Sequence, residues 1–343
     1  MGLTVLSVAY PFAPVTADPA GGAEQVLAQI DRALVSAGHR SRVIAPDGSE
    51  VAGDFIKVHR ADGEIDDATR AAIHGEVRNA IADAIRHGGA DIIHLHGIDF
   101  HAYVPPAGAP VLVTLHLPLD WYPSGALKPH RPGIWLQPVS QDQARRAPEG
   151  VSLLAPIANG IDVDTFRPSD SKDDYALVLG RVAPEKGFHH ALEAARIAGV
   201  SCRAAGKLFP YPAHRRYFED EIVPRLDETR TWIGPVEGAA KRQLMSRARC
   251  LLVPSTAPET SSLVAMEALA SGTPVIAFRA GALPDIVEHG VTGFIVDTTE
   301  DMAEAIGRIG TIDPAACRRA ACERFPLRRT TDAYLSLYAR LAA

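Results

Sequence analysis

"CLLVPSTAPETSSLVAMEALASGTPVIAF", residues 250–278, reads as one strand, loop, helix and strand in succession. The apolar run 250–253 is a strand and 255–261 is the loop that leaves it. Ser261 or Ser262 is a candidate N-cap for a helix that runs to Ser271, where Gly272 and Pro274 stop it. The next strand is 274–278. Two strands joined through a helix are the repeating unit of a doubly wound parallel sheet. Two carboxylates interrupt this apolar stretch, Glu259 in the loop and Glu267 inside the helix. On spacing alone they read either as a ligand site at two depths or as a helix-dipole partner plus a surface residue.

The same alternation extends along the chain. Strand-like runs fall at Leu3–Ala9, Ser41–Ala45, Asp91–Leu95, Val111–Leu115 and Ser152–Ile157, with helices at 22–37 and about 66–87. At 167–174, "RPSDSKDD" loses apolar residues and gathers charge, the mark of a linker. Alternation restarts with "YALVLG" (175–180) and continues through strands near 200–204, 230–233, 250–253, 274–278 and 293–296. The expected fold class is α/β, with two doubly wound Rossmann-like domains facing each other across a cleft. The first domain is expected over 1–168, the linker over 169–174 and the second domain over 175–325. A last helix, within 326–343, is expected to pack back on the first domain.

A chain of 343 residues suits two domains, and 47% hydrophobic with 22% charged residues is the composition of a packed soluble protein. A net charge of −6 argues against a surface that attracts nucleic acid or acidic lipid as a whole. The four cysteines form no CxxC and read as reduced. The start, "MGLTVLSVAYPF", lacks a basic leader and reads as a first strand, and Leu6 spoils a myristoylation match. No apolar run approaches the roughly 18 residues that span a bilayer. A cytoplasmic location is expected.

Ligands of open α/β sheets sit beyond the carboxyl ends of strands. The first such loop, 10–24, carries Gly21 and Gly22 where a helix begins, so backbone N–H groups can approach an anion; alone, the pair is equally a turn. No GxGxxG follows the first strand and no GxxxxGK[ST] occurs, which disfavours a dehydrogenase or a P-loop NTPase. In "LGRVAPEKGFHHAL" (179–192), Arg181 and Lys186 flank a proline turn, a pattern suited to a phosphate-bearing ligand. Free amides near 261–264 can hold a phosphate between the two glutamates. His94, His96, His101 and His116 suggest a rival metal site, but no carboxylate or cysteine stands at zinc-motif spacing. We read them as polar cleft residues.

Together these stretches resemble the retaining GT-B glycosyltransferases of family 4. The resemblance rests on "GGAE" (21–24), "DIIHLHG" (91–97), "VTLH" (113–116), "IANGIDVDTF" (157–166), "LGRVAPEKG" (179–187), the spacing of Glu259 and Glu267, "ASGTPVIAF" (270–278) and "GALPDIVEHGVTGFIVD" (281–297). It implies that Glu267 binds the ribose, that Glu259 contacts hydroxyls of the donor sugar and that Arg181 and Lys186 hold the diphosphate. Gly22, beside Gly21, would supply backbone contacts from the other domain, His116 would stand near the transferred sugar, and the loop at Val236 would meet the base. Ser261, Ser262 and Leu263 would line the phosphate. Many relatives have a glycine-containing stretch there, so the hydroxyls bear on donor-sugar identity.

The implied reaction moves a hexose-type sugar from a UDP- or GDP-sugar to an acceptor hydroxyl, with retention and without metal or other cofactor. The acceptor would be read by the first domain, through loops 97–110 and 118–133 and with Trp121, Tyr122 and Trp135 as candidate platforms. A soluble acceptor is preferred. A nucleotide-sugar epimerase or hydrolase would use the same donor site, and a regulatory nucleotide-binding protein is a more distant alternative.

Overall fold

A computed structural model describes residues 2–16, 21–61, 63 and 65–343. Positions 17–20 of the first strand-to-helix loop therefore lie outside the described residues. The chain divides into two compact units, one of residues up to Asn159 together with Arg328–Ala343, the other of Gly160–Leu327.

The first unit contains β1 (Thr4–Val8), α1 (Gly22–Ser36), β2 (Arg40–Pro46), β3 (Asp54–Val58), α2 (Asp67–Gly88), β4 (Ile92–Leu95), β5 (Val111–Leu115), β6 (Ile134–Pro138) and α3 (Gln141–Arg145). Its sheet is parallel, in the order β3-β2-β1-β4-β5-β6. Side chains of β2 alternate between the two faces as strand geometry requires. Val43 and Ala45 pack with Leu27 and Ala28 of α1. Ile44 joins the opposite cluster, with Ile73, Val77 and Ile81 of α2. α2 starts where the Asp66 carboxylate accepts from Thr69 N and ends at Gly89, whose φ of 65° suits glycine.

The second unit contains β7 (Tyr175–Leu179), α4 (Phe188–Ala198), β8 (Ser201–Ala205), α5 (Pro212–Tyr217), β9 (Arg230–Gly234), α6 (Gly238–Arg247), β10 (Cys250–Val253), α7 (Leu263–Ala270), β11 (Val275–Phe278), α8 (Leu283–Ile286), β12 (Gly293–Val296), α9 (Thr299–Arg308) and α10 (Pro314–Arg324). Its parallel sheet runs β12-β11-β10-β7-β8-β9. Read from its own first strand, this order is the same as in the first unit. Both are the Rossmann-like arrangement, and the chain has the α/β GT-B fold class.

The final helix, α11 (Leu327–Ala342), belongs to the first unit apart from its opening residue. Tyr334 and Tyr338 on it are fully buried, and their hydroxyls meet Thr114 Oγ1 at 3.1 Å and His94 Nδ1 at 2.7 Å.

Three sequence expectations are corrected. Residues 152–157 form no strand: Leu154 N donates to Leu136 O (2.9 Å) and Ile157 N to Pro138 O (3.1 Å), but Pro156 between them has no N–H to continue a ladder. The sheet instead gains its two edges, β3 and β6. "DFIKV" and "IWLQP" lack the continuous apolar run of a strand buried on both faces, because edge strands do not need one. Finally, 169–174 is not a free linker, and the unit boundary falls at Asn159 rather than at 168. Ile161 pairs with Phe325 and Leu327. Lys172 Nζ donates to Ser246 O and Thr273 Oγ1, both at 2.7 Å, and Asp173 binds Arg247 at 2.6 Å. Its charge is satisfied by docking on the second unit.

Candidate active site

In a doubly wound sheet the chain crosses from one side to the other between the first and fourth strands, and the loops that leave these strands diverge to open a crevice. In the second unit these strands are β7 and β10, and their loops are 180–187 and 254–262. Thr256 N donates to Glu185 O at 2.9 Å, tying the loops together. Gly187 has φ 65°, and a Cβ there would collide with Pro254 O, so glycine is required where the loops touch.

This tie assembles the charged groups. Lys186 Nζ lies 2.5 Å from Glu259 Oε1, and Ser255 Oγ donates to the same oxygen at 2.5 Å. Arg181 Nη2 pairs with Glu185 Oε1 at 2.8 Å, while its buried Nε–H has no partner among the described residues. The Glu259 main chain is held by Ala282 N, which donates to its carbonyl at 2.7 Å. Gly281, at φ 57°, passes too close to Glu259 for any side chain.

α7 begins beside this cluster. Its N-cap Ser262 makes no side-chain cap, so the first-turn amides lack that usual acceptor. Ser261 Oγ is buried without a partner among the described residues. Leu263, Met266 and Leu269 are buried, each worth about 1.5–3 kcal/mol, and they fix the helix with Glu267 inside. A carboxylate 1% exposed is costly unless paired. Lys241 of α6 supplies the partner, Nζ to Oε2 at 3.0 Å. Val236 is half-buried in the loop between β9 and α6.

In the first unit, Gly21 is the N-cap of α1 and Gly22 its first residue. β4 and β5 deliver the histidines. His94 Nε2 lies 2.7 Å from Thr114 Oγ1, the His94 and His96 rings are 3.9 Å apart, and His96 Nδ1 meets His116 Nε2 at 3.0 Å. Burial, and then the neighbouring histidines, hold His94 and His96 well below the usual imidazole range. Burial takes His116 down to about 3. All three are neutral at pH 7; the nitrogens of His94 meet the Tyr338 and Thr114 hydroxyls, and His96 Nδ1 meets His116 Nε2. Among the described residues no three His, Cys, Asp or Glu are grouped to hold a metal ion.

The sign of the resulting pH dependence follows. The unfolded chain protonates these histidines near pH 6.5 and the folded chain does not, so stability is full above that pH and falls as pH drops toward 3. His94, His96 and His116 all contribute to this loss in the same direction. The thermal midpoint should decline steadily from pH 7 to pH 4; a midpoint flat across that range would contradict the arrangement.

The second unit thus collects Arg181, Lys186, Glu259, Ser261, Ser262, Leu263 and Glu267 around one strand crossing, while Val236 stands on the loop that leaves the edge strand β9, two strands from β7. Four supporting residues escaped sequence reading: Glu185, Ser255, Lys241 and Gly281. Gly281 and Glu185 lay within the stretches "GALPD" and "LGRVAPEKG" without being singled out; Ser255 and Lys241 are polar residues at ordinary positions. One aromatic platform is corrected. Tyr122 is 4% exposed and packs in the core cluster, so its ring stacks on protein rather than on an acceptor. Trp121 is exposed and Trp135 is half-buried within β6.

Residues 20–165 match the model of Glycosyltransferase Family 4, and residues 164–320 that of Glycosyl transferases group 1. The chain belongs to the group 1, family 4 glycosyltransferases. The D-inositol 3-phosphate glycosyltransferase of Saccharomonospora viridis is 31% identical over 221 residues, 56% of this chain and 50% of that protein. The match thus spans about half the length of that curated relative. Sucrose-phosphate synthase from Thermosynechococcus elongatus superposes over 99% of both chains with TM-score 0.81 and 19% identity. Anabaena HepE in complex with UDP-glucose covers 98% of this chain and 100% of its own, with TM-score 0.78 and 20% identity. No helix among the described residues is long and apolar enough to cross a membrane.

Proposed function

We propose that the protein is a retaining glycosyltransferase that moves a hexose-type sugar from a UDP- or GDP-sugar to an acceptor hydroxyl, in the cytoplasm and without a metal. The observation that carries this reading is the gathering of Arg181, Lys186 and Glu259 at one strand crossing beside the start of α7. The diphosphate leaving group gains negative charge as the anomeric C–O bond breaks. Arg181, Lys186 and the α7 amides are preorganised to meet that charge. In ligand-free protein the cations are paired with Glu185 and Glu259. A diphosphate would take their place on the cations, leaving Glu259 to accept from sugar hydroxyls.

The new C–O bond forms on the same face, and the acceptor's proton passes to the departing phosphate oxygen. Glu267, steadied by Lys241, would accept from the ribose, and the loop at Val236 would meet the base. Gly21 and Gly22 would offer backbone N–H groups, and His116 would contact the transferred sugar.

The titles of the relatives suggest the first substrates to try. HepE with UDP-glucose makes that the first donor. D-inositol 3-phosphate glycosyltransferases make a phosphorylated polyol the first soluble acceptor. Nucleotide release should depend on acceptor, yield a product with the donor's anomeric configuration by NMR, and survive a chelator. Release independent of any acceptor would favour a hydrolase, an inverted anomer would refute retention, and loss of activity with chelator would refute metal independence.

A further inference from the structure

A neutral imidazole carries one N–H and one lone pair, and its partners decide which nitrogen holds which. His96 Nδ1 and His116 Nε2 are 3.0 Å apart with ring planes 19° from parallel, so one donates and the other accepts. His96 Nε2, on the far side of its ring, is buried and has no hydrogen-bond partner among the described residues. The whole residue is 2% exposed. Were His116 Nε2 the donor, His96 would have to carry its own proton on that stranded Nε2, leaving a buried N–H unpaired. With His96 Nδ1 as donor, the stranded atom is only a lone pair, the less costly of the two. His94 does not alter the choice, because its nitrogens are engaged by Tyr338 and Thr114.

We infer that His96 donates from Nδ1 to His116 Nε2 and so holds His116 as its Nδ1–H tautomer, making His116 a hydrogen-bond donor toward the transferred sugar and not a base. His96 is thereby a positioning residue, acting through His116. The clause about the sugar rests on the function proposed above; the tautomer is a property of the ligand-free protein.

Long-range 1H–15N correlation spectra of histidine-labelled protein at pH 7.5 read each ring's tautomer directly. Wild type should show both His96 and His116 protonated at Nδ1. His96→Phe keeps a ring but removes the donor, and the Nδ1–H signature of His116 should fade. His96→Asn returns an N–H near the lost position and should restore it. An Nε2–H or doubly protonated His116 in wild type, or an unchanged signature in His96→Phe, would overturn the assignment. Should His96→Phe fail to fold, the wild-type spectrum decides.

In transfer assays His96→Phe should lower kcat by roughly 10²-fold through loss of alignment, with KM for the nucleotide sugar nearly unchanged and His96→Asn recovering most of the rate. Wild-type kcat in folded His96→Phe would remove the positioning role. Were the tautomer as assigned but no sugar transferred from any donor tried, the glycosyltransferase reading would fail and the hydrogen-bond assignment would stand.

Discussion

Lys186→Ala is expected to lower kcat by roughly 10²–10³, the loss that follows removal of one preorganised donor to a developing oxyanion, equivalent to about 2.7–4 kcal/mol of transition-state stabilisation. Lys186 and Glu259 come from different strand-end loops, so the ammonium is placed by the fold and not by a flexible tail. The substitution also costs stability. Glu259 is 9% exposed, and without Lys186 its buried oxygens keep Ser255 as a neutral donor, at a cost of about 1–3 kcal/mol. Steady-state assays well below the variant's unfolding temperature separate the two effects. Normal turnover there would remove Lys186 from the reaction. Arg181→Ala should behave likewise in kcat, with less effect on stability because Arg181 and Glu185 are partly solvated.

The second large effect is thermodynamic. Lys241→Met should destabilise the second unit by about 3–5 kcal/mol, because it leaves the Glu267 carboxylate, 1% exposed, without its cation. Urea unfolding followed by far-UV circular dichroism reads this, with Lys241→Met/Glu267→Leu as the control. Replacing both charges with apolar groups of similar size removes the stranded ion, and most of the stability should return. A single variant that unfolds with the wild type would show that the pair lies in a wetter environment than its burial implies. The pairing also changes the expectation for Glu267→Ala. It would weaken nucleotide binding, as the family resemblance implies, but would also take a buried carboxylate away from Lys241, so calorimetry with nucleoside diphosphate needs a parallel unfolding curve.

Where the sequence was misread, the cause was local. The periodicity of 22–37 and 66–87 marked α1 and α2 because their apolar faces repeat at the helical period. The edge strands β3 and β6 carried no such mark, since polar residues and proline interrupt their short apolar runs: Asp54 and Lys57 in β3, Gln137 and Pro138 in β6. The run 152–157 looked like a strand because apolar content reports burial, not hydrogen bonding, and Pro156 decides the latter.

The sequence by itself determined the two Rossmann-like halves and marked the charged residues that the fold gathers at one strand crossing, because both are written in short-range patterns: alternating apolar runs, glycines where loops cannot bear a Cβ, and charged residues within a few positions of a strand end. Only the tertiary structure decided the partners. Lys186 met Glu259 across 73 positions, Glu267 met Lys241 on a neighbouring helix, and His94 met Tyr338 across 244 positions. Such pairings follow from strand order and helix packing, which juxtapose residues without regard to their distance along the chain.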